Sequence, residues 1–168
     1  PVAATANGEP HPATASGGAK HAVRGLSLAV PEDECFGFLG VNGAGKTTTL
    51  SMLTGDLDRT DGVAEVAGCD VADLATRRLV GFCPQVDPLI EHMSARETLR
   101  FFGQLKGLDH QEGADLNAVV DELIHRVGLA RFADEPCGTY SGGNKRKLSF
   151  AVALIGEPPV MLLDEPST

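Results

Sequence analysis

The chain has 168 residues, of which 42% are hydrophobic and 22% charged, and it carries a formal net charge of −9 at pH 7. This composition is typical of one ordinary globular domain and excludes disorder along the whole chain. The acidic balance argues against a nucleic-acid partner. The longest apolar stretches are too short to cross a bilayer.

The first segment, residues 1–20, consists mainly of small and polar residues without a periodicity that could bury one face. We interpret it as a flexible leader, followed by one domain over 21–168. The four cysteines are far apart in sequence, which disfavours a close-spaced metal or redox motif. We expect them to be buried, reduced thiols: Cys35, Cys69, Cys83 and Cys137.

Short apolar runs predict the strands. Alternating residues from Leu26 to Val30 predict a half-exposed strand that ends at a turn over 31–34. Three runs without alternation, at 35–39, 79–83 and 160–163, are typical of parallel strands that are covered on both faces. Because helical segments separate these runs, the order predicts an α/β fold with a parallel-sheet core.

The segment from about 88 to 150 is predicted to be mostly helical. Ser94 and Glu97 have the spacing of a capping box and open a helix that should stop near Gly107. Apolar residues repeat at helical spacing from Leu116 to Val127 and predict an amphipathic helix. We therefore expect a helical subdomain inserted into the sheet-forming part.

A glycine-rich loop follows the predicted strand at 35–39 and precedes a predicted helix over 46–54. It matches G-x-x-x-x-G-K-[ST], in which successive backbone amides converge on a phosphate group at the helix N-terminus. The lysine would reach the β- and γ-phosphates, and the threonine hydroxyl would bind magnesium. The candidate phosphate-binding residues are Gly40, Asn42, Gly43, Ala44, Gly45, Lys46, Thr47 and Thr48.

A glycine-rich turn between a strand and a helix needs no ligand, and this is the alternative interpretation of the loop. Lys46 weighs against it. A cation in the first turn of a helix opposes the helix dipole unless an anion is present.

Two carboxylates, Asp164 and Glu165, come directly after the predicted strand at 160–163. At the carboxyl end of a parallel strand they can share one crevice with Thr47. Asp164 would then hold magnesium and Glu165 would polarise the water that attacks the γ-phosphate. The alternative is an apolar strand that simply runs into an acidic helix cap.

A second glycine element, residues 140–144, opens a run over 145–155 that is apolar at helical spacing. With Ser141 as N-cap and open amides at Gly142 and Gly143, it could bind a second anion. Three cations in its first turn are locally unfavourable, which would be relieved by a bound anion. An ordinary capped helix with solvated basic side chains is the alternative.

Four motifs in this order resemble the nucleotide-binding domain of ABC (ATP-binding cassette) transporters. Residues 40–47 resemble Walker A, Gln85 resembles the Q-loop, Ser141–Gly143 resembles the signature motif, and 160–165 resembles Walker B. The resemblance covers roughly residues 20–168 and implies a P-loop NTPase fold. The sequences of residues 140–147 and 96–102 most resemble those of the A subfamily, which is associated with lipid export.

The resemblance also implies a mechanism with ATP and Mg²⁺. Two such domains would close head to tail, with each ATP between the Lys46 loop of one and the Ser141 element of the other. Gln85 would contact the magnesium ion and the attacking water, which makes Glu165, Gln85 and Lys46 the catalytic candidates and Thr47, Gln85 and Asp164 the metal ligands. Transmembrane domains would be the other partners, with this domain at the cytoplasmic face of the membrane.

The chain departs from the family pattern in two places. The stretch before Ala22 contains no Phe, Tyr or Trp, so the residue that stacks on adenine stays unassigned. The D-loop and switch histidine of the family would lie beyond Thr168, and we expect the chain to belong to a longer polypeptide. Two alternatives stay open: an ATPase of the same class without a membrane part, and a fragment that binds nucleotide without turnover.

Overall fold

A computed structural model describes residues 2–5, 21–110 and 115–166. The chain divides into two compact units, Pro1–Val80 and Gly81–Thr168, which we describe separately. None of the helices in the described ranges is long and apolar enough to cross a bilayer.

The described part of the first unit contains an antiparallel sheet, one α-helix and a 3-10 helix over Leu74–Leu79. Its strands are β1 (Val2–Thr5), β2 (Ser27–Val30), β3 (Val63–Val66) and β4 (Cys69–Asp70), and they lie in the order β2-β1-β3-β4. The predicted half-exposed strand near 26–30 is confirmed as β2, in which exposed and partly buried residues alternate. Helix α1 spans Lys46–Leu53, as the sequence predicts, and Thr54 is its C-cap.

The structure differs from the sequence prediction at Val2–Thr5, within the segment interpreted as a flexible leader. These residues form β1, which pairs with β2 on one side and β3 on the other. Backbone pairing on both edges stabilises this strand, although its composition does not predict one. The rest of the predicted leader lies outside the described residues.

The predicted strand over 35–39 is wrong. The described chain has no strand there, and the apolar side chains are exposed, with 47% of Phe36 and 92% of Leu39 accessible to solvent. An apolar run favours burial, but a strand forms only where a neighbouring strand supplies hydrogen-bond partners. The phosphate loop therefore follows an irregular segment instead of a strand.

The other two described strands are β5 (Val80–Cys83), which begins at the last residue of the first unit, and β6 (Val160–Leu163) in the second unit, and they confirm the predicted runs. They pair with each other. Asp164 donates its backbone N–H to the carbonyl of Cys83 at 2.9 Å, so the carboxyl ends of both strands lie together, as in a parallel pair. The residues that follow the two strands are therefore neighbours.

Helices α2 (Ala95–Leu105), α3 (Leu116–Arg126) and α4 (Gly142–Leu154) complete the second unit. The capping box is confirmed, because Ser94 Oγ accepts from the Glu97 amide and Glu97 Oε2 accepts from the Ser94 amide. The core between the helices is aliphatic. Its fully buried members include Leu99, Val120, Leu129, Leu148 and Ile155.

The expectation of four buried thiols is half correct. Cys83 and Cys137 are buried, whereas Cys35 and Cys69 are exposed. Cys35 lies in the irregular segment found where a strand was predicted, and Cys69 lies in the two-residue strand β4. Apolar neighbours in sequence do not bury a thiol when the segment itself has nothing to pack against.

Candidate functional site

The phosphate loop, residues 40–45, leads directly into α1. Gly43 and Gly45 have φ angles of 81° and 93°, a left-handed conformation that side chains with a Cβ rarely adopt. A Cβ on Gly45 would also lie 2.6 Å from the carbonyl oxygen of Ala22. The two glycines are thus required by backbone conformation and, at Gly45, by space, as the sequence pattern predicts.

The lysine of the loop folds back over it. Lys46 Nζ donates to the carbonyl of Gly40 at 2.7 Å and lies 3.4 Å from that of Val41. The ammonium group is therefore held over the loop, although Lys46 is the first residue of α1. Carbonyl oxygens compensate locally for the unfavourable position of a cation at a helix N-terminus.

The start of α1 fits an anion. Its N-cap is Gly45, which has no side chain to accept from the first-turn amides, and its first turn contains no acidic residue. Together with Lys46, these amides make a positive site of the kind that binds a phosphate group. Thr47 is exposed beside it, whereas Thr49 is buried and donates its hydroxyl to the carbonyl of Gly45 at 2.9 Å.

The residues that follow β5 and β6 form a second constellation. Gln85 Nε2 donates to Glu165 Oε2 at 2.8 Å. Asp164 is 5% exposed, and Glu165 has a φ of 48°, which is unusual for a residue with a side chain. The structure thus brings Gln85 and Glu165, 80 residues apart in sequence, into direct contact and places Asp164 next to them.

The signature element is an N-capped helix start, as the sequence predicts. Ser141 Oγ accepts from the backbone N–H of Asn144 at 3.3 Å. Tyr140 is buried and donates its hydroxyl to the carbonyl of Phe132 at 2.5 Å, and burial raises the pKa of this phenol. A buried tyrosine therefore anchors the exposed residues Ser141, Gly142 and Gly143.

The three consecutive cations of α4, residues 145–147, follow its first residues, and the structure gives two of them partners that the sequence did not predict. Lys145 lies 3.7 Å from a carboxylate oxygen of Glu91. Arg146 forms an ion pair with Asp87 and donates to several backbone carbonyls around the Gln85–Glu165 pair. These partners account for two of the three cations, so the cations alone do not argue for a second anion site, and the site at Ser141, Gly142 and Gly143 stays a prediction. The sequence analysis missed Arg146 because its partners are 18 to 62 residues away.

In the ranges that the structure describes, no three His, Cys, Asp or Glu side chains converge as a metal centre. The predicted magnesium ligands are of another kind, because Mg²⁺ is usually bound by one or two carboxylates together with substrate phosphates and water. Thr47 lies in the first unit, and Gln85 and Asp164 lie in the second.

Comparison with known proteins agrees with this geometry. The chain belongs to the ABC transporter family, whose family model matches residues 23–168. It is 53% identical to ABC transporter A family member 7 of Arabidopsis thaliana over 89% of the chain. It is 48% identical to the retinal-specific phospholipid-transporting ATPase ABCA4 of Bos taurus over 91% of the chain. The chain spans 16% of the length of the first relative and 7% of the second.

Among solved structures, the chain is similar to the ATP-binding cassette MJ0796, determined as a dimer in a post-hydrolysis state with ADP and Pi. The TM-score is 0.81 at 24% identity, and the match covers 99% of this chain and 74% of the other. At this identity the likeness shows the fold, which is that of a P-loop NTPase.

Proposed function

We propose that this chain binds and hydrolyses ATP, with magnesium, and that the hydrolysis powers transport across a membrane. The observation that carries the proposal is that one chain contains two features that ATP hydrolysis requires. These are an α1 N-terminus open to an anion under Lys46, and a Gln85 amide bonded to the Glu165 carboxylate.

ATP binding is assigned to the phosphate loop. The backbone amides of Gly43, Gly45 and the first turn of α1 would donate to phosphate oxygens. The ammonium group of Lys46 would leave the loop carbonyls and donate to phosphate oxygens instead. Magnesium, when bound, neutralises charge on the phosphates. The donors that we propose for it are the hydroxyl of Thr47, the carboxylate of Asp164 and the amide oxygen of Gln85.

Hydrolysis is assigned to Glu165 as general base. Its carboxylate accepts a proton from water while the water oxygen attacks the γ-phosphorus. The bond between this phosphorus and the β,γ-bridging oxygen then breaks, and ADP and phosphate leave. The bond from Gln85 orients the Glu165 carboxylate, which matters because proton transfer requires hydrogen-bond geometry.

The partners that we propose are a second nucleotide-binding domain in a head-to-tail dimer and the transmembrane domains of the same transporter. The similar solved structure is a dimer, which supports the first partner. The relatives are A-family transporters, which supports the second partner and the proposed position of the domain at the cytoplasmic face. We also propose a lipid substrate, which is supported by the name of the bovine relative, a phospholipid-transporting ATPase.

The test compares the native chain with Glu165→Gln. The variant should bind Mg-ATP with the native affinity in a calorimetric titration and release phosphate at least about 100-fold more slowly, because only the proton acceptor is lost. Glu157→Gln is the matched control, since Glu157 is also exposed and has a φ of 47°. Binding without phosphate release by the native chain would refute hydrolysis, and absence of binding would refute the phosphate-loop assignment.

A further inference from the structure

We propose that Arg146 is a positioning residue for hydrolysis. It ties the segment after β5 to the segment after β6 and thereby holds Gln85 and Glu165 in contact. The inference rests on the proposed function, in which Glu165 is the base and Gln85 orients it.

One side of the guanidinium binds the segment after β5. Arg146 Nη1 donates to the carbonyl of Pro84 at 2.5 Å and to Asp87 Oδ1 at 3.1 Å. These two residues flank Gln85, the first from the preceding position and the second two positions later. The backbone on both sides of Gln85 is therefore attached to α4.

The other side of the same guanidinium binds the segment after β6. Nη2 donates to the carbonyls of Asp164 at 2.9 Å and Glu165 at 3.0 Å, and Nε donates to the carbonyl of Pro166 at 3.2 Å. Three consecutive carbonyls thus converge on one side chain. These bonds fix the backbone of Glu165. Its left-handed conformation is unfavourable for a residue with a side chain, so it needs such support.

The group is held tightly enough to act as a tether. The side chain of Arg146 is 11% exposed and that of Asp87 is 22% exposed. A charge with so little solvent needs its protein partners, and the planar fork of arginine reaches both segments at once. A lysine ammonium in the same place is a single point and cannot bridge two sets of carbonyls in fixed directions.

The consequence concerns the 2.8 Å bond between Gln85 and Glu165. The two residues lie on separate segments, and the backbones of both are bonded to the same guanidinium. If the tether is lost, either segment can move, and a displacement of about 1 Å at a reacting group can lower turnover about 100-fold. ATP affinity depends on the phosphate loop, so we expect it to change little.

Hydrogen–deuterium exchange on the full chain tests the tether directly. In Arg146→Met, peptides that cover 81–88 and 160–166 should exchange about tenfold faster than in the native chain, with no change in α2 and α3. Arg146→Lys, which keeps the charge, should recover only part of the protection. Arg126→Met is the matched control, because Arg126 is 58% exposed, and it should leave both segments unchanged.

Steady-state hydrolysis tests the functional part. Arg146→Met should lower kcat at least about tenfold, with KM for ATP within about twofold of the native value and partial recovery in Arg146→Lys. Unchanged exchange in both segments, or equally faster exchange across the whole second unit, would overturn the positioning role. A native chain that binds no ATP would refute the proposed function instead, while the exchange experiment would still decide whether the tether exists.

Discussion

Lys46 Nζ donates to the carbonyl of Gly40 at 2.7 Å, so the ammonium group of the phosphate loop lies across the loop that it closes. The bond holds a positive charge at the start of the loop that leads into α1, and the N-cap of this helix, Gly45, has no side chain. This relationship supports the proposal that the loop is an anion site.

Replacing this lysine should abolish nucleotide binding. Lys46→Ala removes the charge that would face the β- and γ-phosphates, and we expect the affinity for Mg-ATP to fall at least about 100-fold in a calorimetric titration. Arg78→Ala removes a positive charge from an exposed site of the same unit and should leave the affinity unchanged. Native affinity in Lys46→Ala would contradict the assignment of the phosphate loop.

An arginine at the signature serine should prevent ATP-dependent association. Ser141 is exposed at the start of α4, so the bulk and charge of Ser141→Arg should block the approach of a second domain without affecting ATP affinity. Light scattering at saturating Mg-ATP on the Glu165→Gln background would show dimers, and Ser141→Arg should remain monomeric. Gln104→Arg, on the exposed side of α2, is the control. A normal dimer of Ser141→Arg would argue against the head-to-tail arrangement.

The stability of the second unit should depend on its aliphatic core. Leu99 of α2 is fully buried, so Leu99→Ala should lower the free energy of unfolding by about 2–5 kcal/mol, through lost burial and the remaining cavity. Leu105 of the same helix is 66% exposed, and Leu105→Ala should change it by less than about 0.5 kcal/mol. Urea denaturation measures the free energy of unfolding of both variants. Equal losses would mean that Leu99 does not belong to the stabilising core.

The ion pair of the first unit predicts a dependence of stability on pH. Hydrogen bonds from Arg59 at 2.8 and 2.7 Å hold the pKa of Asp70 below its ordinary value. The stabilisation is present while Asp70 is ionised, above its ordinary pKa, and it is lost as the pH falls through the lowered pKa of the folded chain.

Asp70→Asn should therefore make the unfolding temperature less sensitive to acid, between about pH 5 and pH 2, than that of the native chain. Glu34→Gln, at an exposed position, is the control and should retain the native pH dependence. Parallel pH profiles for the native chain and Asp70→Asn would mean that the pair does not contribute to stability.

Much of the architecture could be predicted from local sequence. The bounds of α1, α2 and α3, the capping box of Ser94 and the strands β5 and β6 follow from periodicity, capping residues and apolar runs, which act over a few neighbouring residues. The same holds for the glycines of the phosphate loop, because the need for a left-handed backbone is a local property.

The errors occurred where distant partners decide the outcome. Residues 35–39 have the composition of a buried strand yet are exposed, and Val2–Thr5 have an unremarkable composition yet form a strand between two others. Strand formation depends on the backbone of neighbouring strands, and the apolar character of a segment does not report whether such neighbours are available.

By itself, the sequence determined where the left-handed glycines and the lysine of the proposed phosphate loop lie, because Gly43, Gly45 and Lys46 act through local backbone geometry and charge. It also identified Gln85 and Glu165 as candidates, but only the tertiary structure decided that they touch and that Arg146 fastens both segments. The reason is physical: hydrogen bonds between segments form only after folding has brought distant parts of the chain together, and no local pattern encodes their partners.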